Sequence, residues 1–430
     1  MNSDSPATPD AASQDSQRVA LVCLHTSPLA RPGQGDAGGM NVYVKHMAKA
    51  LTALGHSVDL ITLWRHSEHV GESVPTNTWA WSSPAPRLHV LDVALPETIH
   101  APKEHLPDHV QAMAHAVHVA YQEDHRPLPE VIHSHYWLSA AVGISLARLW
   151  GIPAVTTLHT TALAKNQRAG NGEVPEPQRR VDTERQLIHD SDALVVNTPA
   201  EAHDLARLYD ASAQKVRVIP PGVDTTVFHP YRDRTTAPPR PFSIGFAGRL
   251  QALKGPQVLV QALAALRRNH PDLDARVWIA GVGSPEFTEE LSAIIRDHGL
   301  TQAVDMLGAI APHELAQRFR DSSVVAVPSS SETFGLVALE AQACGCPVVA
   351  TDTDGLRYAV QDGVTGWLLP DRHPATWANA FARIAQHPDD LMRRADAAVQ
   401  RAQDFSWDAT ARAHCQLYGS LDGGRHTVGV

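Results

Sequence analysis

The sequence predicts an α/β protein made of two doubly wound domains, each a parallel sheet with helices on both faces. Three observations predict this fold class. The chain has 430 residues, 43% of them hydrophobic, which is too long for one ordinary core and suits two domains of about 200 residues. Short apolar runs alternate with amphipathic helical patterns in both halves. A Pro-rich stretch, PYRDRTTAPPRP at 230–241, has the composition of a linker between the halves.

Apolar runs in the first half predict seven strands, at 19–25, 58–63, 88–93, 131–135, 154–158, 193–196 and 216–219. Helical patterns separate most of them, and the clearest covers 41–54, where apolar residues share one face and a glycine follows. Strands separated by helices predict a parallel sheet whose ligands bind at the carboxyl ends of the strands.

The second half repeats this alternation. Strands are predicted at 242–247, 276–280, 304–307, 324–327 and 347–350, and helices at 258–268, 289–297 and 314–319 and from near 335. The stretch 405–418 predicts one more helix. The predicted organisation is a disordered tail at 1–17, a domain at 18–228, a linker at 229–241, a second domain at 242–404, a helix at 405–420 and a tail at 421–430.

Composition excludes several classes of protein. The net charge is −10 and no long Lys/Arg cluster occurs, so the sequence gives no electrostatic footprint for nucleic acid. Residues 1–17 lack the basic start and apolar region of a signal peptide, and no stretch is long and apolar enough to span a membrane. The four cysteines lack the usual zinc spacing, which predicts a reduced, cytoplasmic protein.

The stretch 328–349, PSSSETFGLVALEAQACGCPVV, predicts strand, loop, helix and strand. Glu332 lies in the loop, the helix starts near Gly335, and Glu340 lies on about its second turn. The free N–H groups and positive dipole end of a helix start can hold a diphosphate. A carboxylate on either side can accept hydrogen bonds from vicinal hydroxyls, which indicates a nucleotide sugar. Spacing alone leaves open that Glu332 only caps the helix and Glu340 is solvated.

Two cations flank the loop GRLQALKGP that follows the first strand of the second half, namely Arg249 and Lys254. They suit a diphosphate leaving group, which gains negative charge as the sugar departs. Taken alone, they could equally be solvated loop charges. Their place in one predicted domain with Glu332 and Glu340 favours the diphosphate interpretation.

A glycine-rich loop, SPLARPGQGDAGGM at 27–40, contains a literal G-x-G-x-x-G at Gly33, Gly35 and Gly38. A dinucleotide site would place these glycines directly after the strand and end the second strand in an acidic residue, whereas this strand ends in Trp64 and Arg65. The loop instead predicts a flap that closes over a ligand, and a surface loop without a role is the alternative. Backbone N–H groups at the helix start come from Asp36, Ala37, Gly38, Gly39, Met40 and Asn41.

Further candidate residues lie at strand ends and helix starts. They are His133, His135, Tyr136, His159, Thr160, Thr161 and Lys165, together with Lys103, Arg179 and Arg180. Cations and hydroxyls that converge from separate elements would suit a phosphate monoester. Each residue alone is compatible with an ordinary surface position, and the sequence does not establish convergence. The 25 histidines show no metal-ligand pattern, and most are predicted at the surface.

Six motifs carry a resemblance to a known family. They are HTSPLARPGQGDAGGMNVYV, HSHYWLSA, TLHTTALAKN, GRLQALKGPQ, SETFGLVALEAQ and FSWDAT. Together they resemble the D-inositol-3-phosphate glycosyltransferases of mycothiol biosynthesis, which are retaining enzymes with the GT-B fold, across nearly all of 18–418. The first motif is the most specific, because few relatives share GDAGGMN, among them sucrose-phosphate synthases. The resemblance implies two Rossmann-like domains facing a cleft and a C-terminal helix that crosses back to the first domain.

The resemblance also implies a reaction, in which N-acetylglucosamine passes from UDP-GlcNAc to 1D-myo-inositol 3-phosphate with retention at the anomeric carbon. The phosphorylated acceptor would contact His25, Asp36, Ala37, Gly38, Gly39, Met40, Asn41, Lys103, Tyr136, Thr160 and Arg180. The UDP-sugar donor would contact Gly39, Arg249, Lys254, Glu332 and Glu340. The resemblance assigns catalysis to His159, Glu332, Arg249 and Lys254. The His159 carbonyl would stabilise the oxocarbenium ion, and the departing phosphate would take the acceptor proton.

Two departures from the family lie on the donor side. At 306–312 this chain has MLGAIAP, where the family usually has a Pro-rich turn that contains an arginine. Ile310 therefore cannot make the side-chain contact of that arginine. A magnesium site of the family falls on Phe319, Arg320, Ser322 and Cys346, a set that argues against the metal, and no cofactor is expected for catalysis.

Two other classes of function stay open from the sequence. One is a different retaining GT-B enzyme with a phosphorylated sugar acceptor, for which a sucrose-phosphate synthase using fructose 6-phosphate is the example. The other is a non-catalytic protein that binds a sugar nucleotide or NAD. The missing acidic residue after the second strand, together with Glu332 and the two cations, argues against the latter. A homodimer is a further open alternative.

Overall fold

The computed structural model describes residues 16–30, 38–65, 68, 75, 77–168, 175–231 and 241–422. These residues form two sheets, each covered by helices on both faces. The predicted α/β class with two doubly wound domains is confirmed.

Eight strands form the first sheet. In chain order they are β1 (Arg18–Val22), β2 (Ser57–Leu63), β3 (Trp79–Ala85), β4 (Leu88–Val93), β5 (Val131–His135), β6 (Ala154–Thr157), β7 (Ala193–Val196) and β8 (Val216–Val218). The spatial order is β3-β4-β2-β1-β5-β6-β7-β8. All neighbours are parallel except β3, which runs antiparallel to β4.

Strand β3 is the one element of this sheet that the apolar pattern did not predict. Its sequence, WAWSSPA, has mostly exposed side chains, with only Trp79 and Trp81 half-buried. An edge strand of this kind can carry polar residues and a proline, because one of its sides has no neighbouring strand. The expectation of a purely parallel sheet is therefore wrong at this edge.

Helices cover both faces of the first sheet. They are α1 (Gly39–Ala53), α2 (Pro96–Ile99), α3 (Val110–Glu123), α4 (Trp137–Trp150), α5 (Ala162–Arg168), α6 (Gln178–Asp190) and α7 (Pro199–Tyr209), with a 3-10 helix at Lys103–His109. Strand β1 and the residues after it show why both faces need cover. Val19, Leu21 and Cys23 belong to one buried cluster, whereas Ala20 and Val22 belong to another. Successive side chains of a strand point to opposite faces, so each face has its own core.

The second sheet is parallel throughout and has the order β11-β10-β9-β12-β13-β14. Its strands are β9 (Phe242–Ala247), β10 (Ala275–Ala280), β11 (Val304–Gly308), β12 (Val324–Val327), β13 (Val348–Thr351) and β14 (Gly366–Leu369). Its helices are α8 (Pro256–Asn269), α9 (Pro285–Asp297), α10 (Pro312–Arg320), α11 (Leu336–Ala343), α12 (Asp354–Ala359), α13 (Pro374–Gln386) and α14 (Pro388–Gln403). The sequence predicted the elements up to β13, while α12, β14, α13 and α14 were not individually predicted.

The last helix, α15 (Trp407–Asp422), returns to the first sheet, as the family resemblance implies. Its Ala411 and Tyr418 share a buried cluster with Met47 and Leu51 of α1. The first domain is therefore completed only by the C-terminal end of the chain.

Two described segments that connect the sheets, around Val223 and around Phe405, are in contact. Val223 donates its backbone N–H to Phe405 O at 3.1 Å. A Cβ added at Gly222 would lie 2.2 Å from Trp407 N, so only glycine allows this approach.

The predicted domain boundaries stay predictions, because residues 1–15, 232–240 and 423–430 lie outside the described part of the chain. All four cysteines are buried, and none of them forms a disulfide. Among the described helices, none combines the length and the apolar character needed to cross a membrane.

Candidate active site

The carboxyl ends of the two sheets meet at a cleft. A Cβ added at Gly39, at the start of α1, would lie 3.7 Å from Leu336 Cδ1 at the start of α11. One pocket in the cleft is lined by His159 and Thr160 from the first domain and by Ser331 and Thr333 from the second. Both sides of the predicted site therefore face one space.

Two loops of the second domain form the donor side, and a backbone hydrogen bond from Ser330 N to Leu253 O (2.8 Å) joins them. Lys254 Nζ donates to Glu332 Oε2 at 2.6 Å, and both side chains are about one-fifth exposed. The structure thus brings together a cation and a carboxylate that lie 78 residues apart in the sequence. Because each still reaches the cleft, the pair can hold a diphosphate and a sugar hydroxyl side by side.

Arg249 follows β9 and is half-buried. Within the described residues it makes no ion pair, unlike Lys254. A guanidinium without a carboxylate partner keeps its full charge for an anion in the cleft.

Helix α11 begins after Gly335, whose φ of 98° lies in the left-handed region. A side chain there would be strained, and its Cβ would lie 2.7 Å from Leu356 Cδ2. The glycine thus sets the tight turn that brings the N-terminus of α11 to the cleft, with Glu332 before it and Glu340 on its second turn.

Burial raises the pKa of Glu340 to about 8. No hydrogen bond to its carboxyl group occurs among the described residues, and the residue is only half-buried. A carboxyl group that is desolvated but still open to the cleft gains hydrogen bonds when two ribose hydroxyls reach it. Its position suits the ribose contact that the sequence predicted.

We expect Glu340→Gln to change how stability depends on pH. The folded-state pKa of about 8 lies above the ordinary value of 4.5, so the folded protein holds this proton more tightly than the unfolded chain. The resulting stabilisation is complete below the unfolded value and is lost as pH rises through about 8. The thermal stability of the ligand-free wild type should therefore fall relative to that of the variant as pH rises from about 4.5 to 8. If stability depended on pH in the same way in the wild type and in Glu340→Gln, this would contradict the raised pKa of Glu340.

His159 lies in a strained turn after β6. Its φ is 60°, and Thr160 N donates to Leu158 O at 2.7 Å, closing a three-residue turn. Such a turn is uncommon for a residue with a side chain, and strain of this kind concentrates at functional sites. The first two amides of α5 donate to side chains, Ala162 N to Glu184 and Leu163 N to Tyr209. The turn at His159 is thus held by contacts from outside the strand.

Buried histidines support His159 from below. His159 Nε2 and His135 Nδ1 are 3.1 Å apart, and His135 Nε2 is buried without a partner among the described residues. His133, next in the row, hydrogen-bonds Tyr418 of α15 and Thr157. Burial lowers the pKa of His159 to about 3 and places the pKa of His133 and His135 well below the ordinary value. His133 and His135 are therefore neutral side chains of the core, whereas His159 is half-buried and lines the cleft pocket.

The acceptor side is built around His25, which follows β1. Its ring lies 4.6 Å from that of Tyr136, and the Arg180 guanidinium lies 4.9 Å above Tyr136. Tyr136 has a φ of 76°, a second strained residue in the cleft. Arg180 also donates to Thr160 O and Oγ1, at 3.1 and 3.3 Å. The predicted residues His25, Tyr136, Thr160 and Arg180 thus form one contiguous surface.

A positive field converges on His25. Burial, together with the charge of nearby cations, lowers the pKa of His25 to about 3. These cations are Lys103, Arg65, Arg180 and Arg249. Three belong to the first domain and Arg249 to the second, so the structure supplies the convergence that the sequence could not establish.

Three sequence candidates lie away from this surface or serve other contacts. Arg179 is exposed and pairs with Asp108 at 2.6 Å. Lys165 pairs with Glu176. His133 is fully buried beneath the cleft.

The start of α1 is partly described. Asn41 is buried, and its side chain donates to Ser27 O (2.8 Å) and accepts from Gly38 N (3.0 Å). Its amide therefore fixes the loop, and a ligand would meet the backbone N–H groups of Gly39 and Met40. The predicted contacts Asp36 and Ala37 lie outside the described residues.

Sequence reasoning missed Asn197, which follows β7 and lines the same pocket as His159. It is 4% exposed, and its Oδ1 is buried without a hydrogen bond from a described residue. Its backbone N donates to Glu201 Oε2 at 2.6 Å, and its side chain also bonds Glu201, whose pKa is raised by burial to about 7. A buried acceptor without a donor suits a ligand hydroxyl or amide. The sequence signal available was its place between a strand and the capping pattern of Thr198 and Glu201.

The side chains at the positions of the family's magnesium site are buried, hydrogen-bonded or cationic. Phe319 and Cys346 are buried, and Ser322 Oγ accepts from Trp278 Nε1 and donates to Arg318 O. Arg320 is itself a cation. Hard cations such as Mg²⁺ need oxygen ligands, and these side chains supply none that is free.

Comparison with known proteins gives the same fold. A family model described as "Glycosyltransferase Family 4" matches residues 37–227, and one described as "Glycosyl transferases group 1" matches 228–402. Two relatives carry the name D-inositol 3-phosphate glycosyltransferase. That of Arthrobacter sp. (strain FB24) is 42% identical over 407 residues, covering 94% of each chain. That of Paenarthrobacter aurescens (strain TC1) is 42% identical over 409 residues, covering 93% of this chain and 97% of the relative.

Solved structures with the same architecture include a sucrose-phosphate synthase from Thermosynechococcus elongatus. It has a TM-score of 0.81 and 27% identity, covering 95% of this chain and 100% of that protein. The Anabaena protein HepE, solved in complex with UDP and glucose, has a TM-score of 0.69 at 19% identity, covering 94% and 100%. At that identity the likeness to HepE concerns the fold alone.

Proposed function

Because the chain belongs to the D-inositol 3-phosphate glycosyltransferases, a family of GT-B enzymes, we propose that it transfers N-acetylglucosamine from UDP-GlcNAc to 1D-myo-inositol 3-phosphate. The observation that carries the acceptor assignment is the field of four cations around His25. A phosphate monoester carries close to two negative charges at neutral pH, and such a field favours it over an uncharged polyol.

The donor assignment rests on the second domain. Arg249 and Lys254 would hold the diphosphate at the start of α11, Glu332 would accept from a hydroxyl of the sugar, and Glu340 from the ribose. As the bond between the anomeric carbon and the phosphate oxygen breaks, both cations stabilise the charge that develops on the diphosphate. The strained turn at His159 would present its carbonyl dipole to the oxocarbenium ion.

Retention requires the new bond to form on the face from which the diphosphate leaves. The acceptor hydroxyl then attacks the anomeric carbon on that face, and its proton passes to the departing β-phosphate. Two carboxylates beside the cleft already accept hydrogen bonds, Glu332 from Lys254 and Glu201 from the Asn197 backbone N–H. This step assigns no role to a metal ion, because Arg249 and Lys254 meet the charge of the diphosphate.

An assay of UDP release tests the proposal. The donors are UDP-GlcNAc and UDP-glucose, and the acceptors are inositol 3-phosphate and fructose 6-phosphate. We expect turnover with UDP-GlcNAc and inositol 3-phosphate. Preference for fructose 6-phosphate would instead support the sucrose-phosphate synthase type, which the structural likeness at a TM-score of 0.81 makes the second candidate.

Substitutions of Glu340 and Glu332 should affect different steps of the reaction, UDP binding and sugar transfer respectively. Glu340→Ala should weaken UDP binding itself, because a ribose contact is made in ground and transition states alike. Glu332→Ala should leave UDP affinity nearly intact and lower sugar transfer. Calorimetry with UDP alone, followed by turnover at saturating donor, measures the difference. Equal loss of UDP affinity in both variants would contradict the assignment.

We also place the enzyme in a reducing, cytoplasmic compartment. The support is that Cys23, Cys344, Cys346 and Cys415 are all buried and form no disulfide with one another.

A further inference from the structure

Arg65 lies at the end of β2, beside the residue around which the acceptor side is built. Strands β1 and β2 are parallel neighbours, and their register pairs Val22 with Ile61. Three residues beyond this pair, His25 lies level with Trp64. Arg65 is the next residue and lies at the same edge of the sheet. Trp64 N still donates to Val93 O of β4 at 2.8 Å, which fixes the backbone at this point.

The Arg65 side chain is buried, with 6% of the residue exposed. Its Nη2 donates to Ala101 O at 2.6 Å, in the segment that leads to Lys103. Its Nε is buried and has no hydrogen-bond partner among the described residues. A buried guanidinium donor without an acceptor is costly, and a folded protein retains it where a ligand supplies the acceptor.

Arg65 differs from Arg180, the other buried arginine of this surface, in whether carboxylates offset its charge. Arg180 pairs with Glu184 at 2.7 Å and with Glu176 at 2.8 Å, so two carboxylates already offset its charge. No ion pair to Arg65 occurs among the described residues. The positive charge available to an anion at this surface therefore comes more from Arg65 than from Arg180.

We propose that Arg65 binds the phosphate of the acceptor, as a specificity-determining residue in addition to those that the family resemblance assigns. The inference rests on the function proposed above. The Ala101 carbonyl orients the guanidinium, and its free N–H donates to a phosphate oxygen. A planar guanidinium matches phosphate geometry better than an ammonium, so lysine should replace it poorly.

Three variants test this inference: Arg65→Gln, Arg65→Lys and the control Arg148→Gln. Arg148 is an exposed cation of the same domain that pairs with Asp190, so its variant controls for net charge. For each we would measure acceptor KM and kcat with inositol 3-phosphate, turnover of free inositol, inhibition by inorganic phosphate, and UDP affinity. The UDP affinity reports on the second domain, and the midpoint of thermal unfolding reports whether the first domain stays folded.

Arg65→Gln should raise the acceptor KM by about tenfold to a hundredfold, with UDP affinity unchanged. It should weaken inhibition by inorganic phosphate and reduce the preference for inositol 3-phosphate over free inositol, which a merely structural role would not do. Arg65→Lys should recover only part of the loss, and Arg148→Gln should match the wild type. A wild-type KM for inositol 3-phosphate in Arg65→Gln would overturn the inference and leave the proposed function intact. Failure of the wild type to use inositol 3-phosphate would overturn both.

Discussion

Replacing Arg249 with alanine should lower kcat by about a hundredfold or more, because it removes a charge from the leaving diphosphate in the transition state. Arg249 makes no ion pair within the described residues, so its removal strands no buried carboxylate. The midpoint of thermal unfolding should stay close to that of the wild type. Single-turnover kinetics at saturating donor and acceptor would measure the chemical step.

Lys254→Ala should lower kcat by a similar factor and should have one further effect. Lys254 holds Glu332 at 2.6 Å, so the variant also frees the carboxylate that faces the sugar. Arg276→Ala is a suitable control, since Arg276 is an exposed cation on β10 of the same domain. Near wild-type turnover in both Arg249→Ala and Lys254→Ala would remove the basis for the donor assignment.

The fold was predictable because most strands are buried on both faces. Runs such as Val324–Val327 and Ala193–Val196 are apolar without interruption, which is the pattern of a parallel sheet covered by helices. Strand β3 escaped prediction because its exposed edge needs no apolar run. The C-terminal helices after β13 were not individually predicted, although α15 was, from its apolar residues at helical spacing.

The candidate site was predictable only by residue type. Glu332 and Lys254 could be chosen as a carboxylate and a cation at loop positions, but their hydrogen bond depends on how two distant loops pack. The positive φ of Tyr136 has no sequence signal, and although histidine is enriched at positive φ, most histidines do not adopt it, so the sequence does not single out His159. Arg65 was noted only as the wrong residue for a dinucleotide site, because its unpaired burial is a property of the folded chain.

Arg180 shows how the structure changes an expectation from the sequence. A phosphate contact alone would predict that Arg180→Ala raises the acceptor KM without affecting folding. Arg180 also pairs with Glu184, which is fully buried and accepts from Ala162 N as well. Removing the arginine would leave this carboxylate without its cation, so Arg180→Ala should also lower the unfolding temperature.

Free myo-inositol should be a very poor acceptor, with a kcat/KM at least about a thousandfold below that of inositol 3-phosphate. In the proposed site, the phosphate would gain charge-assisted hydrogen bonds from Lys103, Thr160 and the arginines around His25. Free inositol cannot make them, and its binding would leave a desolvated cationic pocket without an anion. Saturation kinetics with each acceptor, at fixed UDP-GlcNAc, measure the ratio.

The ratio also distinguishes the acceptor assignment from the fold and donor assignments. Inorganic phosphate added together with free inositol should restore part of the lost turnover, because it can occupy the pocket that the missing group leaves empty. Equal efficiency with both acceptors would show that the cations around His25 do not select a phosphate. The acceptor assignment would then fail, whereas the UDP-sugar site of Arg249, Lys254, Glu332 and Glu340 would be unaffected, since it lies in the other domain.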